Sequence, residues 1–158
     1  GHTNKRKAKN RNHTMPKKFY KDIPADYPIC QYADCPRAAT CLHQLVYQPL
    51  VERDVYLRLI NPNRCTKDEQ CPYYRDSTPV TYARGFTGMQ KRMYPGQYQT
   101  FMSLLMREFS RNPYFERRRG ETALSPKEQH IVLQALRKAG VTEDLKFDAY
   151  EENVNWYD

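Results

Sequence analysis

The sequence predicts an α+β chain, mainly α, with a small Cys-rich N-terminal half packed on a helical C-terminal half. Three observations lead there. All five cysteines fall between residues 30 and 71. Apolar residues recur at helical spacing in two later stretches, around 97–110 and from Pro126 onward. One run, DVYLRLI at 54–60, carries the β-branched and apolar content of a strand and closes on Asn61-Pro62-Asn63.

Taken in order, residues 1–21 read as a disordered basic tail, with Met15 a candidate initiator and 1–14 an upstream extension. Pro24 and Pro28 then exclude regular helix, which predicts an extended arm whose Phe19, Ile23 and Ile29 pack inward. Leu42, Leu45 and Val46 mark a helix over 40–48, with Thr40 as cap and Pro49 as its end. Thr66-x-x-Glu69 has the capping-box pattern and predicts one helical turn stopped by Pro72. Arg84–Met93 reads as a short helix weakened by Gly85 and Gly88. Tyr98, Phe101, Met102, Leu105 and Phe109 form the stripe of the next helix, which Asn112-Pro113 ends, leaving NPYFERRRG as a loop. The last helix has the fullest punctuation: Ser125 as cap, Pro126 at the first position, Glu128 closing the box and Gly140 beyond Arg137-Lys138. Its expected buried stripe is Ile131, Val132, Leu133, Leu136 and Ala139. The aromatic end, with Trp156, should pack back on the body. The reading is one domain over 22–158, Cys-rich across 22–80 and helical across 81–158.

Composition narrows the function classes. The formal charge of +8 suggests nucleic acid, but residues 1–21 hold 8 of the 26 basic residues and no acid, so the rest is neutral at 18 against 18. A pattern-free basic tail of that kind belongs with disorder. No apolar run reaches the ~18 residues of a membrane span, and no signal-peptide centre is present, so a soluble cytoplasmic protein with reduced thiols is expected. Tyrosines outnumber phenylalanines 13 to 6, which suits half-wet surfaces and interfaces.

The cysteines make C-x4-C-x5-C followed by a second C-x5-C. Structural zinc takes four ligands, thiolates foremost. Two cysteines six apart on an unbroken helix would sit ~9 Å apart along the axis and ~240° apart around it, so each C-x5-C has to bend. Pro36 after Cys35 and Pro72 after Cys71 allow it. The simplest ligand set is Cys35, Cys41, Cys65 and Cys71, with Cys30 spare or a substitute for one of them. Zinc is the leading metal, and an iron–sulfur cluster on the same cysteines is the alternative. Buried free thiols and disulfides are the other readings. His43 reads as a core or surface histidine. A catalytic Cys–His pair is the enzyme alternative, but no base, orienting group and oxyanion site assemble in the sequence.

Between 82 and 119, rings alternate with cations, as in proteins that stack single strands and pair phosphates. Once the helical stripe is removed, Arg84, Lys91, Arg92, Arg111, Arg117, Arg118 and Arg119 remain as phosphate-contact candidates. The resulting expectation is a non-enzymatic, metal-stabilised binding module for nucleic acid or in regulation. The alternative is a protein–protein adaptor using the Tyr/Met/Arg surface.

Two resemblances accompany this reading. LSPKEQHIVLQAL resembles the first helix of the helix-turn-helix of LuxR-type response regulators, but the chain continues as GVTEDLKFDAYEE, without a recognition helix. More widely, TCLHQLVY, CPYYR, YARGFTGMQKRMYPGQYQTFM, NPYFERRRG, LSPKEQ and FDAYEENVNWYD together resemble a family of small bacterial proteins of unknown function. That resemblance spans residues from about 27 to the end and implies an intact bacterial cytoplasmic domain, with no activity to carry over.

Overall fold

The computed structural model describes residues 15–157, which form two compact units. One runs through Thr78 and takes in Val154–Tyr157, and the other is Pro79–Asn153. Most of the predicted basic tail, residues 1–14, lies outside the described residues.

The first unit is sparse in regular structure. A 3-10 turn covers Lys17–Asp22, upstream of Pro24, because Met15 and Phe19 have a core to enter; both are buried, as are Ile23, Tyr27 and Ile29. Two short helices follow, α1 (Leu42–Leu45) and α2 (Tyr47–Arg53). Cys41, not Thr40, is the residue before α1. Pro49 does not end the helical run, because it stands at the third position of α2, where its missing N–H would have had no intrahelical partner. The expected strand at 54–60 reduces to one parallel bridge, Ile29 with Leu59, closed by Ile29 N→Arg58 O and Ile60 N→Ile29 O. The expected helix at Thr66 does not form. Asp68 takes the Thr66 hydroxyl at 2.6 Å and the Gln70 amide at 2.8 Å, and Lys67 sits at φ +57, so the segment is a tight turn.

The core of this unit gathers Phe19, Tyr27, Ile29, Leu42, Val46 and Leu50 around Val154 and Trp156. Tyr27 donates its hydroxyl to Trp156 O at 2.9 Å and meets the indole edge-on, with centroids 5.2 Å apart. The aromatic end packs back as expected. After Leu50, however, no residue is fully buried until Ala83.

The Pro79–Asn153 unit is a helical layer with one two-stranded ribbon. Strand β1 (Val80–Arg84) pairs antiparallel with β2 (Ala149–Asn153), from Val80↔Asn153 to Arg84↔Ala149. Helices α3 (Thr87–Gln90), α4 (Pro95–Phe109), α5 (Arg111–Arg119) and α6 (Pro126–Lys138) complete it. The expected loop at 112–120 is mostly α5, again with Pro at the third helical position, after a break at Ser110 with φ +71. Helix α6 has both capping-box bonds, Glu128 N→Ser125 Oγ and Ser125 N→Glu128 Oε1, each 3.2 Å. Its buried face is Val132, Ala135 and Leu136, and Leu133, one residue round the helix, is exposed.

Asp148 supplies the cap that α3 lacks. Phe86, the residue before the helix, has no side-chain cap, and the Asp148 carboxylate accepts from Thr87 N (2.9 Å), Thr87 Oγ1 (2.8 Å) and Gly88 N (2.9 Å). Gly85 lies beneath it at φ +77, where a Cβ would fall 2.7 Å from Asp148 Oδ2. Burial works to raise the Asp148 pKa, but the hydrogen bonds from Gly88 and Thr87 and the charge of Lys91 outweigh it, and the net shift is downward. A depressed carboxylate stabilises fully above the ordinary Asp pKa of about 3.9, and loses that contribution as pH falls through its lower folded value. Asp148→Ala is expected to cost about 0.5–2 kcal/mol, the range for a lost cap, in urea unfolding at pH 7. The gap from wild type should close as pH drops below 4.

Candidate metal centre

The two stretches that carry cysteines are held by turns rather than by a core. Cys30 follows the Ile29–Leu59 bridge, with its amide bonded to His43 O at 2.9 Å. Cys35 lies in a turn closed by Cys35 N→Tyr32 O, and Cys41 leads into α1 while bridging to Asp76. Cys65 closes the 3-10 turn Pro62–Arg64, and Cys71 lies in the next turn, with its amide on Asp68 O.

All five are free, partly buried thiols, and all five line one cavity of about 30 Å³. That volume admits one or two water-sized particles. Its remaining walls include Tyr32, Arg37, Gln44, Ile60, Lys67 and Tyr74. Cys65 has Cys30 and Cys71 as its sulfur neighbours. Burial, with these two sulfur neighbours added, pushes the Cys65 thiol up to about 11. A bound cation would reverse that balance and hold the sulfur as thiolate.

In the thiol form the sulfurs do not make a closed cage. Among the described residues no group of three or more Cys, His, Asp or Glu side chains is arranged to hold a metal ion. Tetrahedral zinc at ~2.3 Å from each sulfur requires sulfurs about 3.8 Å apart.

The surroundings suit thiolate ligands. The Tyr32 amide donates to Cys30 Sγ at 3.4 Å. Arg37 stacks over Tyr74 at 3.1 Å from the ring centroid and bonds Glu69 O. Lys67 pairs with Asp34 at 3.1 Å and lies 4.0 Å from the Tyr32 centroid. Arg37 brings a positive charge to the wall against the net −2 that four thiolates leave around Zn²⁺, while the charge of Lys67 is shared with Asp34. Sequence reasoning missed Arg37, Lys67 and Tyr32, because only the folded turns bring them to the sulfurs; their signal was position inside the two cysteine spans. His43 does not line the cavity. It stacks on Tyr27 with centroids 5.0 Å apart, and its Nδ1 lies 2.7 Å from Pro28 O. Burial chiefly lowers its pKa, and the Arg75 charge adds to the effect.

The seven phosphate-contact candidates do not form one cluster of exposed charge. Arg84 pairs with Glu151 at 2.9 Å and bonds Gly120 O and Glu121 O. Arg92 pairs with Glu143, Arg117 with Glu128 and Arg119 with Glu121. Arg118 donates to the Tyr98 hydroxyl at 3.0 Å and lies over the Phe115 ring at 4.9 Å. Lys91 stands near Asp148, and Arg111 is exposed on the first turn of α5. No helix among the described residues is long and apolar enough to cross a membrane.

Comparison adds one relationship. A family model described as a family of unknown function (DUF6078) matches residues 11–156. No curated protein and no solved structure matches the chain.

Proposed function

The chain belongs to this family of unknown function, and from that premise we propose a non-enzymatic, metal-stabilised binding module with zinc at the cysteine cavity. One observation carries the reading: five cysteines from two coreless spans line a single cavity of about 30 Å³. Ordering a residue costs about 1–2 kcal/mol of backbone entropy. Residues 51–82 include no fully buried side chain to offset it. A metal tying Cys65 and Cys71 to Cys35 and Cys41 supplies what burial does not. The cavity is the size of a single ion, which favours zinc over a multi-atom iron–sulfur cluster.

The partner this reading favours is a protein. Val51, Val55, Tyr56, Leu57 and Leu59 stand exposed in one stretch of the metal-bearing unit, Val55 by 89% and Tyr56 by 83%. Contiguous apolar exposure of that kind marks interaction surfaces. Phosphate contact by Arg84, Arg92, Arg117 or Arg119 would instead have to displace an ion pair already made.

Purified full chain is expected to hold one zinc by elemental analysis. The same preparation, titrated against a single-stranded oligonucleotide at several salt concentrations, separates the partners. Compared with a variant in which all seven are alanine, so that the basic residues 1–21 cancel, the log–log salt slope should differ by no more than about 2 if only Lys91, Arg111 and Arg118, the candidates outside an ion pair, can act, whereas all seven acting would give a difference of about 5. A metal-free protein whose five thiols react at once overturns the zinc reading. A difference near 5 restores nucleic acid as the partner.

A further inference from the structure

Resting on the zinc reading, we infer that the fifth thiol, Cys30, makes the centre dischargeable by a hydroperoxide. Zinc takes four sulfur ligands, and five cysteines line the cavity, so one is always left over beside the ligand set. If Cys35, Cys41, Cys65 and Cys71 ligate, the remaining thiol is Cys30, which lines the same cavity as a neighbour of Cys65. The Tyr32 amide holds Cys30 Sγ in this position. Each of the five cysteines is partly exposed, so a small oxidant has access.

The chemistry balances with the peroxide as the only oxidant. The Cys65 thiolate attacks one peroxide oxygen; the O–O bond breaks, a sulfenic acid forms and hydroxide leaves. The Cys30 thiol then attacks the oxidised sulfur, an S–S bond forms, and the sulfenic oxygen departs as water with the Cys30 proton. Two sulfurs each lose one electron, and the peroxide takes up both. Cys65 no longer ligates, three thiolates remain, and zinc is released. Reduction by a dithiol followed by added zinc restores the centre.

The experiment treats zinc-loaded full chain with one equivalent of hydrogen peroxide. It follows zinc with a chromophoric chelator and maps disulfides in non-reduced digests, comparing wild type with Cys30→Ser. Wild type should release its zinc and yield a Cys30–Cys65 disulfide. Cys30→Ser should keep zinc at rest, release it at least fivefold more slowly, and accumulate a Cys65 sulfenic acid that dimedone traps. Equal release from both proteins, or a disulfide that excludes Cys30, overturns the inference while leaving the zinc reading intact. Loss of zinc from untreated Cys30→Ser also overturns it, by making Cys30 a ligand. Absence of zinc from untreated wild type fails the earlier reading instead.

Discussion

Chelating the metal from the purified chain at neutral pH is expected to melt the span between Leu50 and Ala83 and to loosen the aromatic contact at Trp156. The reasoning is one of magnitudes. Structural zinc in small domains contributes about 10–16 kcal/mol at pH 7, whereas whole domains are stable by only about 5–15 kcal/mol. A segment without buried side chains has few other sources of stability. Its main-chain hydrogen bonds are turn bonds such as Cys71 N→Asp68 O and a few bridge bonds such as Ile60 N→Ile29 O and Leu42 N→Arg75 O, each worth about 1 kcal/mol net. Trp156 is the single tryptophan and is 7% exposed, so its emission reports on the metal-bearing unit alone. Trypsin gives a second readout, since Arg53, Arg58, Arg64, Lys67 and Arg75 all fall in or beside the span. Chelator should red-shift the emission and open these sites to cleavage, and added zinc should reverse both. Unchanged emission and unchanged digestion would mean that turns alone hold the segment and that the cavity is a cluster of packed thiols.

Where the sequence was legible, it was legible for local reasons. Helix α6 was readable because cap, proline, box glutamate and terminal glycine all act within its own span, and both box bonds are made. Its exposed Leu133 was misplaced by counting apolar residues rather than turning them through 100° steps. Pro49 does not stop its helical run, and Asn112-Pro113 does mark the end of α4 but not the start of a loop: each proline stands at the third position of a helix, where no donor is missed. Strand β1 is not legible in the sequence, because its partner lies 65 or more residues away and four of its five side chains stay in contact with solvent. The box at Thr66 does not form, because the Thr66 hydroxyl donates to Asp68 at 2.6 Å instead of capping a helix. The cysteine concentration was plain in the one-dimensional sequence. That all five line one cavity was not, since spacing cannot tell which turns face each other. The basic stretch shows the same limit: its arginines were visible, and the distant glutamates that engage Arg84 and Arg92 were not.

In the other unit, Phe101→Ala is expected to be the most damaging single truncation, at about 3–5 kcal/mol. Phe101 is completely buried at the centre of α4 and meets Phe86 edge-on, with ring centroids 5.8 Å apart. Phe86 in turn leans on Tyr114 of α5 at 5.8 Å, so one ring bridges the turn after β1 and two helices. Removing it leaves a void among side chains whose positions several elements fix at once, and such sites relax little. Edge-to-face contacts add about 0.5–1.5 kcal/mol beyond area. Phe101→Leu keeps most of the volume and should cost less than half as much, which separates packing from a general intolerance of change at this site. Urea unfolding of both variants with zinc present checks the ordering, read by far-UV circular dichroism because α4, α5 and α6 lie in this unit. Zinc content should be unchanged in both, since every cysteine lies in the other unit. Equal losses for alanine and leucine would show that ring geometry, rather than filled volume, holds the helices together.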